Sequence, residues 1–208
     1  MLSFLDKART REAQRLPLFP LRTVLFPGGL LPIKIFEQRY IEMAKRCLKD
    51  EKPFGVCLLT SGEEVSAVSR KQEFAPIGTV ARIVQWDMPQ LGILHVAAEG
   101  DTRFQVQEHN VASDGLVVGE VTPLAVEPAM ALPEAYAPLA RFLELIEGRI
   151  GPQNFPARKA YDDASWIGYR LAEILPLPLH IKQTMLEIND STIRLKVLEQ
   201  FLKQHELL

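Results

Sequence analysis

Leu16-Pro17-Leu18-Phe19-Pro20-Leu21, then Val24-Leu25-Phe26-Pro27-Gly28-Gly29-Leu30, then Leu31-Pro32-Ile33-Lys34-Ile35-Phe36 follow one another with only Arg22-Thr23 between them. These are short apolar runs broken at close spacing by Pro17, Pro20, Pro27 and Pro32. Proline has no N–H for a ladder, so the stretch predicts strands at edges, bulges or strand starts. Phe26 to Leu30 reads as a tight connection, because proline fixes φ and glycine permits φ > 0. Leu31–Phe36 reads as the next short strand.

One helix interrupts this β-rich part. Phe36, Tyr40, Met43, Ala44, Cys47 and Leu48 recur at helical spacing, and Glu37, Gln38, Glu42, Lys45, Arg46 and Lys49 fall on the other face. Pro53 predicts a stop near Asp50. Further strands are expected at Phe54–Thr60, Gly78–Trp86, Leu91–Ala98, Thr102–Val106 and Leu116–Val121. Asp87-Met88-Pro89-Gln90 reads as a loop, and Glu99-Gly100-Asp101 as a turn. In Gly78–Trp86, alternation puts Val80, Val84 and Trp86 on one side and Ala81, Ile83 and Gln85 on the other.

From about Ala125 the period becomes helical. Pro133 reads as a first helical position, followed by Tyr136, Leu139, Leu143, Ile146 and Ile150, with Gly151-Pro152 as the stop. Asp162 or Asp163 caps the next helix, whose apolar side holds Trp166, Ile167, Leu171, Ile174 and Leu175. Pro176 and Pro178 break it, and a third helix covers about His180–Ile188. A last one, capped by Asn189, Asp190 or Ser191, carries Ile193, Val197, Leu198, Phe201 and Leu202. The expected fold is α+β. A β-rich, barrel-like mixed or antiparallel sheet with one inserted helix covers residues 1–125, and a helical bundle covers 126–208.

Composition excludes several functions. The 208 residues are 47% hydrophobic and 24% charged, ordinary for a globular chain, and the net charge of −2 supplies no field to recruit nucleic acid or an anionic membrane. No apolar run approaches 18 residues, so no transmembrane helix is expected. The first fifteen residues mix Lys7, Arg9, Arg11 and Arg15 with Asp6 and Glu12, which is not a signal-peptide pattern. Cys47 and Cys57 match neither a zinc nor a Cys-x-x-Cys spacing; they read as buried thiols of a cytoplasmic protein.

Catalytic signatures are missing as well. There is no phosphate loop, dinucleotide fingerprint, His-Glu-x-x-His or nucleophile elbow, and His95, His109, His180 and His205 lack ligand spacing. No metal or cofactor is expected. Glu63-Glu64 reads as a solvated turn and Asp162-Asp163 as a helix start. What remains are apolar residues at loops and strand ends, Phe26, Leu30, Trp86, Met88 and Leu91. They either cap one end of a barrel or form a patch for extended peptide, where aromatic and Met side chains adapt to varied partners. Edge strands would suit the same ligand by strand addition.

The opening stretch, with Ile35-Phe36-Glu37-x-Arg39-Tyr40, resembles the start of the Lon protease N-terminal domain family. The similarity continues at Val56–Leu59, Ile77-Gly78-Thr79-Val80-Ala81 and Gly100-x-x-Arg103-Phe104. It resumes at Lys182-Gln183-x-x-Leu186-Glu187 and at Asp190 with Arg194-Leu195. The resemblance implies a twisted PUA-like barrel followed by helices, and recognition of polypeptide substrates for an attached ATPase and Ser–Lys protease. No counterpart of those engines lies before Leu208, so it implies a stand-alone, non-catalytic module for unfolded or extended polypeptide. A separate ATPase or protease is the further partner it suggests. Arg39, Arg82 and Arg103 are expected to tie strands and helix together. An RNA-binding PUA-like protein and a hydrolase with an unrecognised site stay open as alternatives.

Overall fold

Pro17 and Pro20 of the opening stretch flank Leu18, where a strand changes neighbours. The computed structural model describes residues 13–62, 73–151, 153 and 155–208. Its first strand, β1 (Gln14–Leu21), pairs antiparallel with β6 (Val117–Pro123) along Gln14–Leu18. Along Leu18–Leu21 it pairs parallel with β3 (Phe54–Ser61). β3 continues into β4 (Glu73–Gln90), β4 into β5 (Ile93–Val111), and β5 pairs with β6, closing a ring β1-β3-β4-β5-β6. β2 (Leu30–Ile35) pairs with the first part of β5. Six strands form one mixed sheet, as the α+β reading requires. The expectations at Lys7, Arg9, Arg11, Glu63-Glu64 and Pro152 lie outside the described residues.

Three strand expectations are corrected. Glu99-Gly100-Asp101 is not a turn; β5 runs straight through it for 19 residues. Gly100 makes this possible, because a Cβ there would sit 2.3 Å from the Phe26 carbonyl oxygen. Asp87–Gln90 is not a loop but the end of β4, paired through Asp87↔His95 and Gln90↔Ile93. The chain reverses instead at Leu91-Gly92, where Gly92 has φ +83°. Finally, the ladder slips between Ile83 and Gln85, so Ile83 stands opposite Ala98 and Trp86 opposite Val96. One extra residue swaps the faces, which puts Trp86 on the side of Ile83 rather than of Val80.

Among the described residues there are five α-helices. α1 (Gln38–Asp50) starts two residues later than its apolar period predicts, because Glu37 is extended (φ −76°, ψ 132°) and acts as N-cap. It buries Tyr40, Ile41, Met43, Ala44 and Cys47 in one cluster with Ile33 and Ile35 of β2, Leu94, Val96 and Ala98 of β5 and Ala81 of β4, where each large apolar side chain contributes about 1.5–3 kcal/mol. Pro133 precedes a short 3-10 turn at Glu134–Tyr136, and α2 (Ala137–Ile150) carries Pro138 in its first turn instead. α3 (Ala164–Ile174) is capped by Asp163, which accepts from Trp166 N at 2.7 Å. α4 (Leu179–Glu187) follows, then α5 (Ser191–Gln204), capped by Asp190. The buried face of α5 is rotated from the expected one: Arg194, Leu195, Leu198 and Leu202 are inside, whereas Ile193 and Val197 are exposed. One apolar cluster joins Leu139, Leu143, Ile167, Leu171 and Leu198 of the helices to Leu58 and Ala75 of the sheet and to Val24 and Phe26 of the β1–β2 connection. Leu16, Leu18, Cys57, Val80, Phe104 and Val121 fill the ring itself.

Candidate functional site

β3 accompanies β4 only as far as Phe54↔Ala81, so among the described residues β4 from Arg82 onward has β5 as its sole partner. The two strands continue as an arm, and β2 lines its other side. Directly opposed residues share a face. Ile33, Val96 and Trp86 therefore form one cross-strand row, and Leu31, Ala98 and Ile83 the next. This inner face packs with α1 through Ile33, Ile35, Leu94, Val96, Ala98 and Ala81, but its cover ends before Trp86. Trp86 is 59% exposed there, and Leu91 at the tip is 92% exposed. Met88, two residues beyond Trp86 on the same face, is half-buried against the α1 cluster.

Of the five expected contact residues, Trp86 and Met88 share one face of the arm and Leu91 lies at its tip. Leu30 lies at the far end of β2, opposite Glu99, on the face of Pro32 and Lys34. Phe26 is a correction: it is fully buried, its ring 5.7 Å from that of Tyr169 on α3. The cause is Arg170, itself buried, which donates to the carbonyls of Pro27 and Gly28. With Gly28 N donating to Gly100 O at 2.7 Å, the turn is drawn onto α3 and Phe26 goes inward. Phe36, 52% exposed at the end of β2, is an addition that its apparent place on the helix face concealed.

A second set of polar residues fixes the helices on the sheet. Arg103 on β5 donates to the carbonyls of Leu186 (2.8 Å), Ile188 (3.1 Å) and Ala125 (3.3 Å), and to the Asn189 side chain. Arg194 on α5 donates to Met185 O and Ile188 O and forks onto the Glu127 carboxylate. Tyr169 and Ser165 also donate to Glu127, each at 2.7 Å. Burial pushes the Glu127 carboxyl up, but these hydrogen bonds and the Arg194 charge outweigh it and hold the group below its usual range. A carboxylate so stabilised is a poor base, so Ser165 beside it is anchored rather than activated. The cluster is a clasp. Arg39 plays a similar part for α1, donating to Gly115 O at 2.8 Å, while Arg82 makes an exposed pair with Asp101. Sequence reasoning missed Glu127, Arg170 and the burial of Arg194, because charged residues default to the surface unless paired.

His95 lies on the outer face, in a row with Lys34 and Asp87. No helix of the described residues is long and apolar enough to cross a membrane. Between β1 and β2 runs a groove of about 310 Å³, lined by Phe19, Leu21, Leu31, Phe36 and Tyr40 among others.

A family model for the ATP-dependent protease La (LON) substrate-binding domain matches residues 15–204. The chain is similar to the crystal structure of a Lon N-terminal domain protein from Xanthomonas campestris, with 34% identity and a TM-score of 0.73, covering 90% of this chain and 98% of that one. It shares its fold with the N-terminal domain of the Mycobacterium avium complex Lon protease, at 19% identity and a TM-score of 0.59, covering 92% of this chain and 100% of that one. The Lon protease of Cytophaga hutchinsonii is 27% identical over 187 residues, which cover 86% of this chain and 23% of the relative. The chain thus spans about a quarter of the length of such curated relatives.

Proposed function

This chain belongs to the family of ATP-dependent protease La (LON) substrate-binding domains, and on that premise we propose that it binds unfolded or extended polypeptide through the apolar face of its β4–β5 arm. One observation carries the reading: Trp86 and Met88 share one face of an arm that leaves the ring and Leu91 lies at its tip, with Trp86 and Leu91 largely in solvent. A large aromatic and a pliable thioether side by side suit segments of varied sequence. The role is one of capture without chemistry, and a separate ATPase or protease is the partner such capture would serve. Cys47 and Cys57 are both buried free thiols, which fits a reducing, cytoplasmic setting.

The test is a titration with a chemically unfolded protein, reduced and carboxymethylated lactalbumin. Saturable binding is expected. Trp86→Ala combined with Met88→Ala should weaken it roughly tenfold or more, as removal of an interface anchor does. Absence of binding, or binding indifferent to both substitutions, overturns the proposal.

A further inference from the structure

Two strand edges face each other across the groove between β1 and β2. β1 has β6 beside it along Gln14–Leu18; among the described residues, Phe19–Leu21 pair only with β3. β2 likewise pairs only with β5. The phase of that pairing is set by Gly100 N, which donates to Gly29 O at 2.8 Å. Antiparallel hydrogen-bonded positions recur every second residue. Leu31, Ile33 and Ile35 therefore bond to β5, and Leu30, Pro32 and Lys34 turn their main-chain groups away from it, towards the groove. Pro32 fits this phase, since it has no N–H to give β5. The edge thus offers the N–H of Leu30 and of Lys34 and the carbonyls of all three.

We propose that the groove is a strand-addition site. An extended polypeptide segment pairs its main chain with the free edge of β2 and lays every second side chain against the half-buried Leu31 and the exposed Phe36, above the buried Phe19 and Tyr40 rings. This rests on the polypeptide-binding reading and adds to it a second contact with a different chemistry. What lies beneath is fixed: the buried Phe19 and Tyr40 rings are stacked with centroids 3.9 Å apart. Main-chain pairing supplies affinity without reading sequence, and the contacts with Leu31 and Phe36 select apolar side chains at every second position. The ligand is a single strand rather than a second copy of this chain. A copy would have to bring its own β2 with β5 attached into a slot already walled by β1 and β2. The missing N–H at Pro32 also weakens edge-to-edge pairing between copies.

The test uses the full chain and reduced, carboxymethylated lactalbumin. Lys34→Pro removes an edge N–H and should weaken binding about tenfold, whereas Lys34→Ala keeps it and should change Kd by less than about twofold. In the unaltered chain, amide exchange at Leu30 and Lys34 should slow about tenfold or more at saturation. Ile33, already bonded to β5, should not change. Saturable binding with Leu30 and Lys34 unprotected overturns strand addition and leaves the arm as the site. No binding at all overturns both readings. Protection of the two amides that grows with protein concentration and without ligand would assign the slot to a second copy and overturn the proposal.

Discussion

Glu127 and Arg194, 67 residues apart in sequence, meet in a forked ion pair from which water is almost entirely excluded. Arg194 also lies over the Tyr169 ring, 4.0 Å from its centroid, so its cation is held on three sides by carboxylate, aromatic face and main-chain carbonyls. Removing one member of such a pair leaves the other buried and uncompensated. Glu127→Ala should therefore cost about 3–5 kcal/mol, read as a lower urea midpoint with an unchanged slope.

The same carboxylate shapes the acid limb of stability. Its folded pKa lies below the ordinary 4.5, so its contribution is present above that value and lost as pH falls through the lower, folded one. Glu173 has the opposite sign: burial raises it, and Arg170 and Lys182 offset only part of that, so its contribution is present below 4.5 and lost as pH rises through the folded value. Glu127→Gln should flatten the fall in stability below pH 4.5, measured by urea unfolding at a series of pH values, whereas Glu173→Gln should leave that fall in place.

Two glycines should respond in opposite directions. Gly100→Ala would drive a Cβ into the Phe26 carbonyl and break the exchange of hydrogen bonds with Gly28 and Gly29. A loss of about 3 kcal/mol is expected. Gly148 lies inside α2 with open space around its missing Cβ, so Gly148→Ala should gain about 0.5–1 kcal/mol. Thermal unfolding of the two variants checks both signs.

Phe26 and Trp86 should separate stability from binding. Phe26→Ala empties a fully buried site between sheet and helices and should cost about 3–5 kcal/mol. Trp86→Ala removes a side chain that solvent already reaches and should cost less than about 1.5 kcal/mol, while weakening capture of unfolded polypeptide. Calorimetric unfolding and the lactalbumin titration, run on both variants, give the two readouts.

Much of the fold was legible because alternation and helical period are local. The apolar runs at Phe54–Thr60 and Leu116–Val121 fall in β3 and, all but Leu116, in β6, and Asp163 and Asp190 cap helices as their positions suggest. What escaped reading depends on partners distant in the chain. Glu99-Gly100-Asp101 has the composition of a turn, yet Gly100 is there to let two chains pass closely. The extra residue between Ile83 and Gln85 reverses the faces of β4, and no single-strand pattern reveals it. Phe26 looked solvent-facing beside Pro27-Gly28-Gly29 until Arg170, more than 140 residues on, pulled that turn inward. For the candidate site, Trp86, Met88 and Leu91 were visible as apolar residues out of place, whereas the slot beside β2 exists only once the strand order is known.

The double allegiance of β1 has a consequence for how the molecule is made. Its early partner, β3, leaves the ribosome soon after it, but β6, beginning at Val117, comes about 100 residues after Gln14. A nascent chain therefore carries the ring unclosed until β6 has emerged, with Leu16 and Leu18 lacking the Val117 and Val121 that later cover them. Closure by such distant pairing is slow, of the order of milliseconds to seconds. A member of a substrate-binding family is, for that interval, itself an incompletely folded chain.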